Sequence, residues 1–215
     1  MSLKNHKPEK SLTKQFSSPT REEYFDFLVR CYFGEGDNLL KMAVDRAYLD
    51  LNRTLHGFAK HKNADVTRDG AHALMIKLVK KVQLVKFTQK SYDLWHFRSC
   101  KTLRNYFLEN EFEKFTYGQA QKWINMTLKY IFTIGESRLE GYQDYYRFAH
   151  IPIDNVFINA LQPYKKIRLP LAWSRIDNYG TYLDLQNEFR TLFPKSIPLD
   201  VEFRLWIQEK VEGGD

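Results

Sequence analysis

The sequence predicts an all-α protein of about eight helices, set in two layers or lobes with a cleft between them. Three observations point there. Apolar residues recur at three- and four-residue intervals along most of the chain, and only ten glycines and seven prolines interrupt its 215 residues. No alternating apolar and polar run is long enough to demand a sheet. With 43% hydrophobic and 15% aromatic residues, the chain can bury one sizeable core or two small lobes sharing a cleft. We therefore read residues 20–215 as a single helical domain, open to division into two lobes. Residues 1–19 are polar and lysine-rich with no apolar segment behind them, and read as a disordered basic tail, neither a secretory signal nor an anchor. No apolar run approaches the roughly eighteen residues that a membrane span needs, so no membrane is expected as a partner and the expected location is cytoplasmic.

Each element has its own signal. Thr20-Arg21-Glu22-Glu23 is a Thr-x-x-Glu capping box, in which hydroxyl and carboxylate each satisfy a free backbone N–H, and its helix should run to Phe33 before Gly34 and Gly36. Asp37 is expected to cap a longer helix with Leu40, Val44, Ala47, Leu51 and Leu55 as its buried stripe, fraying near Gly57. From Asp65 to Phe87 the spacing predicts a helix with Leu74, Leu78, Val82 and Val85 on one face. Lys77, Lys80, Lys81 and Lys86 fall largely on the others, open to phosphates or simply to water. Ser91 is the expected cap of a helix over 92–108, with Trp95, Cys100, Leu103 and Phe107 as apolar positions. A turn over 110–116 leads to a helix that begins near Gly118 and continues through the apolar stretch from Trp123 to Ile134. After Asp154 about two turns should follow to Leu161, stopped by Pro163. A basic connector over 164–170 precedes a helix started by Ser174 or Asp177, carrying Tyr182, Leu185, Phe189 and Leu192. The last helix is expected from near Asp200, presenting Phe203, Leu205, Trp206 and Val211.

The formal charge of +7 favours a polyanion, because each lysine or arginine that meets a phosphate releases a counterion. Nucleic acid is the expected partner, and a solvated basic surface is the alternative. Cys31 and Cys100 lie on apolar helical stretches without Cys-x-x-Cys spacing and are expected as reduced core residues. His56, His61, His72 and His96 have no partner at metal-ligand spacing, so no metal and no cofactor is assigned. The chain has neither a nucleotide-binding glycine loop nor a serine elbow. No oligomeric state is assigned.

Chemistry concentrates between Tyr117 and Asp154. A glycine at the start of a helix lets the backbone approach a partner and leaves the first N–H groups pointing outwards, an arrangement that binds phosphate. With the helix beginning near Gly118, Lys122 falls within its first turn or so, where the positive end of the macrodipole disfavours an ammonium. A neutral amine is what attack on a sugar C1′ or a carbonyl requires. Asp154, after Ile151-Pro152-Ile153, sits where a side chain caps the next helix and yet points into a cleft, placed to stabilise positive charge on a sugar ring or to accept a proton. Lys122 and Asp154 are the candidate catalytic pair. Gly118, Gln119, Ala120 and Gln121 are the candidate backbone contacts to nucleic acid. Arg147, His150, Lys165, Lys166 and Arg168 flank the proposed cleft as further contacts. Trp95, Trp123, Trp173 and Trp206 offer stacking faces for an extruded base, or fill the core. Plainer readings stay open: Ile197-Pro198-Leu199-Asp200 repeats the pattern of Ile151-Pro152-Ile153-Asp154 ahead of another helix, as a simple capping aspartate would, and Lys122 alone fits a surface lysine.

Gly118-Gln119-Ala120-Gln121-Lys122, followed by Pro152-Ile153-Asp154, resembles the helix-hairpin-helix DNA glycosylases, which share a Gly-x-Gly-x-Lys hairpin and a downstream Gly/Pro-x-Asp element. The spacing between lysine and aspartate is more similar to the archaeal 8-oxoguanine branch than to the bacterial endonuclease III branch. Ala120 stands where the family has its second hairpin glycine, and the chain lacks a four-cysteine tail for an iron-sulfur cluster. The resemblance implies a DNA-repair hydrolase, with or without AP-lyase activity. Lys122 would attack C1′ of a damaged nucleotide to form a Schiff base, and Asp154 would assist departure of the base. Two rivals remain: a non-catalytic helical module that binds nucleic acid or protein, and a helical defence or toxin ribonuclease.

Overall fold

The computed structural model describes residues 17–166, 169 and 171–212. Among them there is no strand. Eight α-helices, α1 (Arg21–Phe33), α2 (Leu39–Asn52), α3 (Ala64–Lys80), α4 (Gln89–Glu109), α5 (Tyr117–Ile134), α6 (Asn155–Leu161), α7 (Tyr179–Leu192) and α8 (Pro198–Glu212), are joined by turns and short 3-10 segments. Residues 1–16 of the expected tail lie outside the described residues, as does Arg168. None of these helices is long and apolar enough to cross a membrane.

The chain divides into two compact units, Met1–Glu35 and Gly36–Asp215. The first holds α1, whose capping box forms as its sequence indicates: the Glu23 N–H donates to Thr20 Oγ1 at 3.2 Å, and the Thr20 N–H donates to the Glu23 carboxylate at 2.7 Å. The helix ends at Gly34, whose φ of +92° few other residues adopt. Cys31 is exposed, which corrects its expected place in a core. The buried position of α1 is Val29, and a residue two further on points about 200° away around the helix.

The second unit is organised around α5. Every residue of α5 from Gly118 to Ile131 is buried, which places the helix at the centre of its neighbours. The expected stripe of Leu40, Val44, Ala47 and Leu51 along α2, with Leu55 in the turn just beyond it, is buried, each leucine contributing about 2 kcal/mol of apolar transfer. It meets α5 where the Tyr48 and Trp123 rings lie 5.2 Å apart and the Trp123 indole N–H donates to the Val44 carbonyl at 3.1 Å. α4 packs on α5 and on α3, and α6 packs on α8.

Several boundaries and faces differ from expectation. Asn38 caps α2, and Thr88 caps α4 with Ser91 as the third-residue partner of a reciprocal capping pair. The helix expected over 65–87 gives way after Lys80 to a tight 3-10 turn, and its buried side runs through Thr67, Ala71, Met75, Leu78 and Val79. That face is rotated from the one centred on Leu74 because α3 packs against both α2 and α4. On α8 the inner face is Leu199, Glu202 and Leu205, so Trp206 and Val211 are exposed.

Candidate functional site

Thr116 starts α5 with a capping box: its Oγ1 accepts the Gln119 N–H at 3.2 Å, and the Gln119 side-chain oxygen accepts the Thr116 N–H at 3.0 Å. The Gly118 N–H donates to the Ile176 carbonyl at 2.8 Å, and the Ala120 N–H to the Thr116 carbonyl at 3.0 Å. Gly118 is required by this covering segment, since a Cβ there would lie 2.0 Å from the Trp173 carbonyl oxygen. Gln119 also donates to the Thr54 carbonyl at 2.8 Å. Gly118, Gln119, Ala120 and Gln121 are thus buried, with these donors spent inside the protein, which corrects the expectation of a phosphate cradle at this helix start. The glycine admits a close approach, as expected, but the approaching backbone is the chain's own.

The helix begins one residue before Gly118, so Lys122 lies in the second turn, past the reach of the terminal dipole. Lys122 and Asp154, 32 residues apart, are brought together: the Lys122 amine meets Asp154 Oδ2 directly. Asp154 is at the same time the cap of α6, its Oδ1 accepting the Phe157 N–H at 2.8 Å. One carboxylate therefore holds a helix with one oxygen and an amine with the other. Lys122 is only 5% exposed, and that carboxylate is the partner of its buried amine.

Two turns further along α5, Lys129 forms a second buried pair, 2.7 Å from Oε1 of Glu202 on α8. Glu202 is 2% exposed. Burial pushes its carboxyl up; Lys129 opposes the rise, Asp154 adds to it and Lys122 opposes it, so the two pairs share one electrostatic field. The Lys129 ammonium lies 4.4 Å from the Phe203 ring centroid and 5.6 Å from that of Trp206. Carboxylate, ammonium and aromatic faces thus adjoin the Lys122 pair.

The Ile151–Ile153 segment that delivers Asp154 is extended and buried, and side-chain amides take the place of a neighbouring strand. Gln121 donates to the Ile153 carbonyl at 2.8 Å and accepts the Ile153 N–H at 3.2 Å; Gln186 does the same for Ile151 at 2.8 and 3.2 Å. Asn125 donates to the Ile151 carbonyl and, at 2.8 Å, to the Tyr182 hydroxyl. Tyr182 in turn donates to His150 Nδ1 at 2.9 Å, leaving His150 Nε2–H to donate to Asp93 at 2.7 Å. His96 donates to Asn125 Oδ1 and accepts from the Tyr179 hydroxyl, both at 2.9 Å. Burial holds both imidazoles below their ordinary range. Burial also opposes ionisation of Asp93, but hydrogen bonds from His150 and Arg190 outweigh it and hold that carboxyl well below the usual range. Asp93 and Arg190 border a depression of about 750 Å³.

His150 is therefore enclosed, not a base-edge contact, because both ring nitrogens are bonded inside this network. Arg147 is exposed with its guanidinium over Phe148, Lys165 pairs with Glu188, and Lys166 is exposed. Sequence reasoning missed Lys129 and Glu202. The seven-residue spacing from Lys122 to Lys129, two turns on one face, was a readable signal. The Thr116-x-x-Gln119 box was readable too, and marks a helix start whose donors are already used. Among the described residues no three His, Cys, Asp or Glu side chains group to hold a metal. No protein-family model, curated protein or solved structure matches this chain.

Proposed function

We propose that Lys122 and Asp154 are the chemical centre of a cytoplasmic DNA glycosylase, with AP-lyase activity, that excises a damaged or modified base. The observation that carries this reading is the direct meeting of the Lys122 amine with the Asp154 carboxylate. Asp154 accepts the ammonium proton, and the freed lone pair forms a bond to C1′ while the C1′–N bond breaks; the base leaves with its electron pair and takes the proton that the newly attached secondary amine gives up. Ring opening, with the ring oxygen taking the proton held by Asp154, then gives the Schiff base. Glu202 and the Trp206 face supply a hydrogen-bond acceptor and a stacking surface beside the centre. The reading carries with it two lobes with a cleft at Lys122 and a helix-hairpin-helix-like element built from α4, the 110–116 turn and α5.

Borohydride trapping tests it. The wild-type chain should become covalently joined to duplexes carrying modified bases or an abasic site. Lys122→Ala should abolish the product, and Asp154→Asn, which keeps a capping side chain for α6, should slow it by at least about a hundredfold. Circular dichroism checks that both variants fold. The second reading, a non-catalytic nucleic-acid or protein-binding module, is favoured by the enclosure of Lys122 and of the α5 start. Intact DNA bound with a steep salt dependence, and no trapped product across the panel, would decide for it.

A further inference from the structure

α1 turns an aromatic stripe outwards. Tyr24, Phe27, Leu28 and Tyr32 are 58%, 63%, 60% and 50% exposed, and Cys31 between them is exposed as well. At about 100° per residue these five positions fall within about 140° of the helix surface, at the three- and four-residue spacing of a helix-pairing seam. From Tyr24 to Tyr32 no charged residue interrupts them, because Asp26 and Arg30 point to other sides. Val29, the buried residue of α1, lies about 140° from Tyr24 and about 160° from Phe27, so the stripe and the buried side are different faces.

The stripe is large enough to matter. An open aromatic side chain offers about 150–250 Å², so four large side chains half to two-thirds exposed, with Cys31, leave roughly 500 Å² of apolar surface on one short helix. Patches of that size mark interaction surfaces. Two copies laid together would bury about 1,000 Å² in total, the least that a specific protein interface needs. The charges beside the stripe choose the partner. Glu23 and Arg30, seven residues apart, stand two turns from each other on one flank. In an antiparallel pair of helices like flanks meet, and the midpoint between positions 23 and 30 falls beside Phe27. Glu23 of each copy then lies alongside Arg30 of the other, and the two helix dipoles oppose each other. A parallel pair would set Glu23 against Leu28 instead.

We infer that α1 is a dimerisation helix, whose Tyr24, Phe27, Leu28, Cys31 and Tyr32 pair antiparallel with the same residues of a second copy, with Glu23 and Arg30 as reciprocal ion pairs. This pairing stands whether or not Lys122 is a nucleophile. Its area is at the low end and its ion pairs are exposed, so the dimer is weak and forms with rising concentration.

Sedimentation equilibrium of the full chain from about 1 to about 200 µM tests this. The wild-type chain should pass from monomer to dimer with a Kd of about 10 µM. Phe27→Glu with Leu28→Glu, at exposed positions where circular dichroism should show the helices unchanged, should weaken the dimer at least about a hundredfold. Glu23→Gln, which keeps a capping-box side chain, and Arg30→Gln should each weaken it about threefold. Combined, they should also cost only about threefold, because either change removes the same ion pairs. A chain that stays monomeric over this range overturns the assignment, whether or not lipid vesicles or another protein bind the stripe. So does a dimer that the Phe27 and Leu28 double variant leaves intact, and a dimer indifferent to Glu23→Gln overturns the antiparallel pairing.

Discussion

The starts of α5 and α3 are built from the same backbone and end in opposite states. At α5, Thr116 and Gln119 cap each other and Ile176 takes the Gly118 amide, so the helix end is closed by its own chain. At α3, Asn63 makes no side-chain capping bond, and among the described residues the Asp65 and Val66 amides have no acceptor. The difference teaches that a glycine at a helix start marks a close approach without saying what approaches. At Gly118 it is the Trp173 carbonyl.

The change that breaks this contrast most directly is Gly118→Ala. The added methyl would press on a backbone carbonyl that cannot rotate away, and we expect a loss of about 3 kcal/mol in urea unfolding. Little or no loss would mean that the 173–176 segment does not seal α5.

Acid should come next. His96, hydrogen-bonded to Asn125 of α5, is held well below its ordinary range by burial and by neighbouring His150. Its folded pKa is depressed, so the unfolded chain takes up the proton first: the stability is present above about pH 6.5 and is lost as pH falls toward the folded value. Between pH 7 and pH 5 this one group should make the fold measurably less stable in urea unfolding. Hydrogen exchange at Ile151 and Ile153 should quicken before it does in α3. Equal stability at the two pH values would count against a neutral buried His96.

The smallest effect is the sharpest discriminator between the two helix starts. Thr116→Ala should cost about 1 kcal/mol by removing a working cap, whereas Asn63→Ala should cost no more than a few tenths. Equal costs in paired thermal unfolding would show that Asn63 caps α3 in solution.

Helical periodicity was enough to expect α2, α5 and α6, because their apolar positions repeat at the spacing of one face and their flanking Thr, Asp and Gly residues act within a single turn. The meeting of Lys122 with Asp154 was also an expectation drawn from the chain, as a proline-led cap one helix and one return loop further on. Lys129 and Glu202 were not anticipated, since the partner of Lys129 is 73 residues away on another helix. Nor was the role of Gln121: a glutamine on α5 reads like any other polar residue until a buried, extended segment runs beside it with unpaired backbone groups.

The sequence by itself determined the all-α class and most helix spans, because helix formation is decided by contacts within a few residues. Which helix ends are closed and which stay open, which face of α3 is buried, and which four charges share one interior field were decided only by tertiary structure. Those outcomes depend on groups far apart in the chain competing for the same donors and the same water-free space, and local order carries no record of that competition.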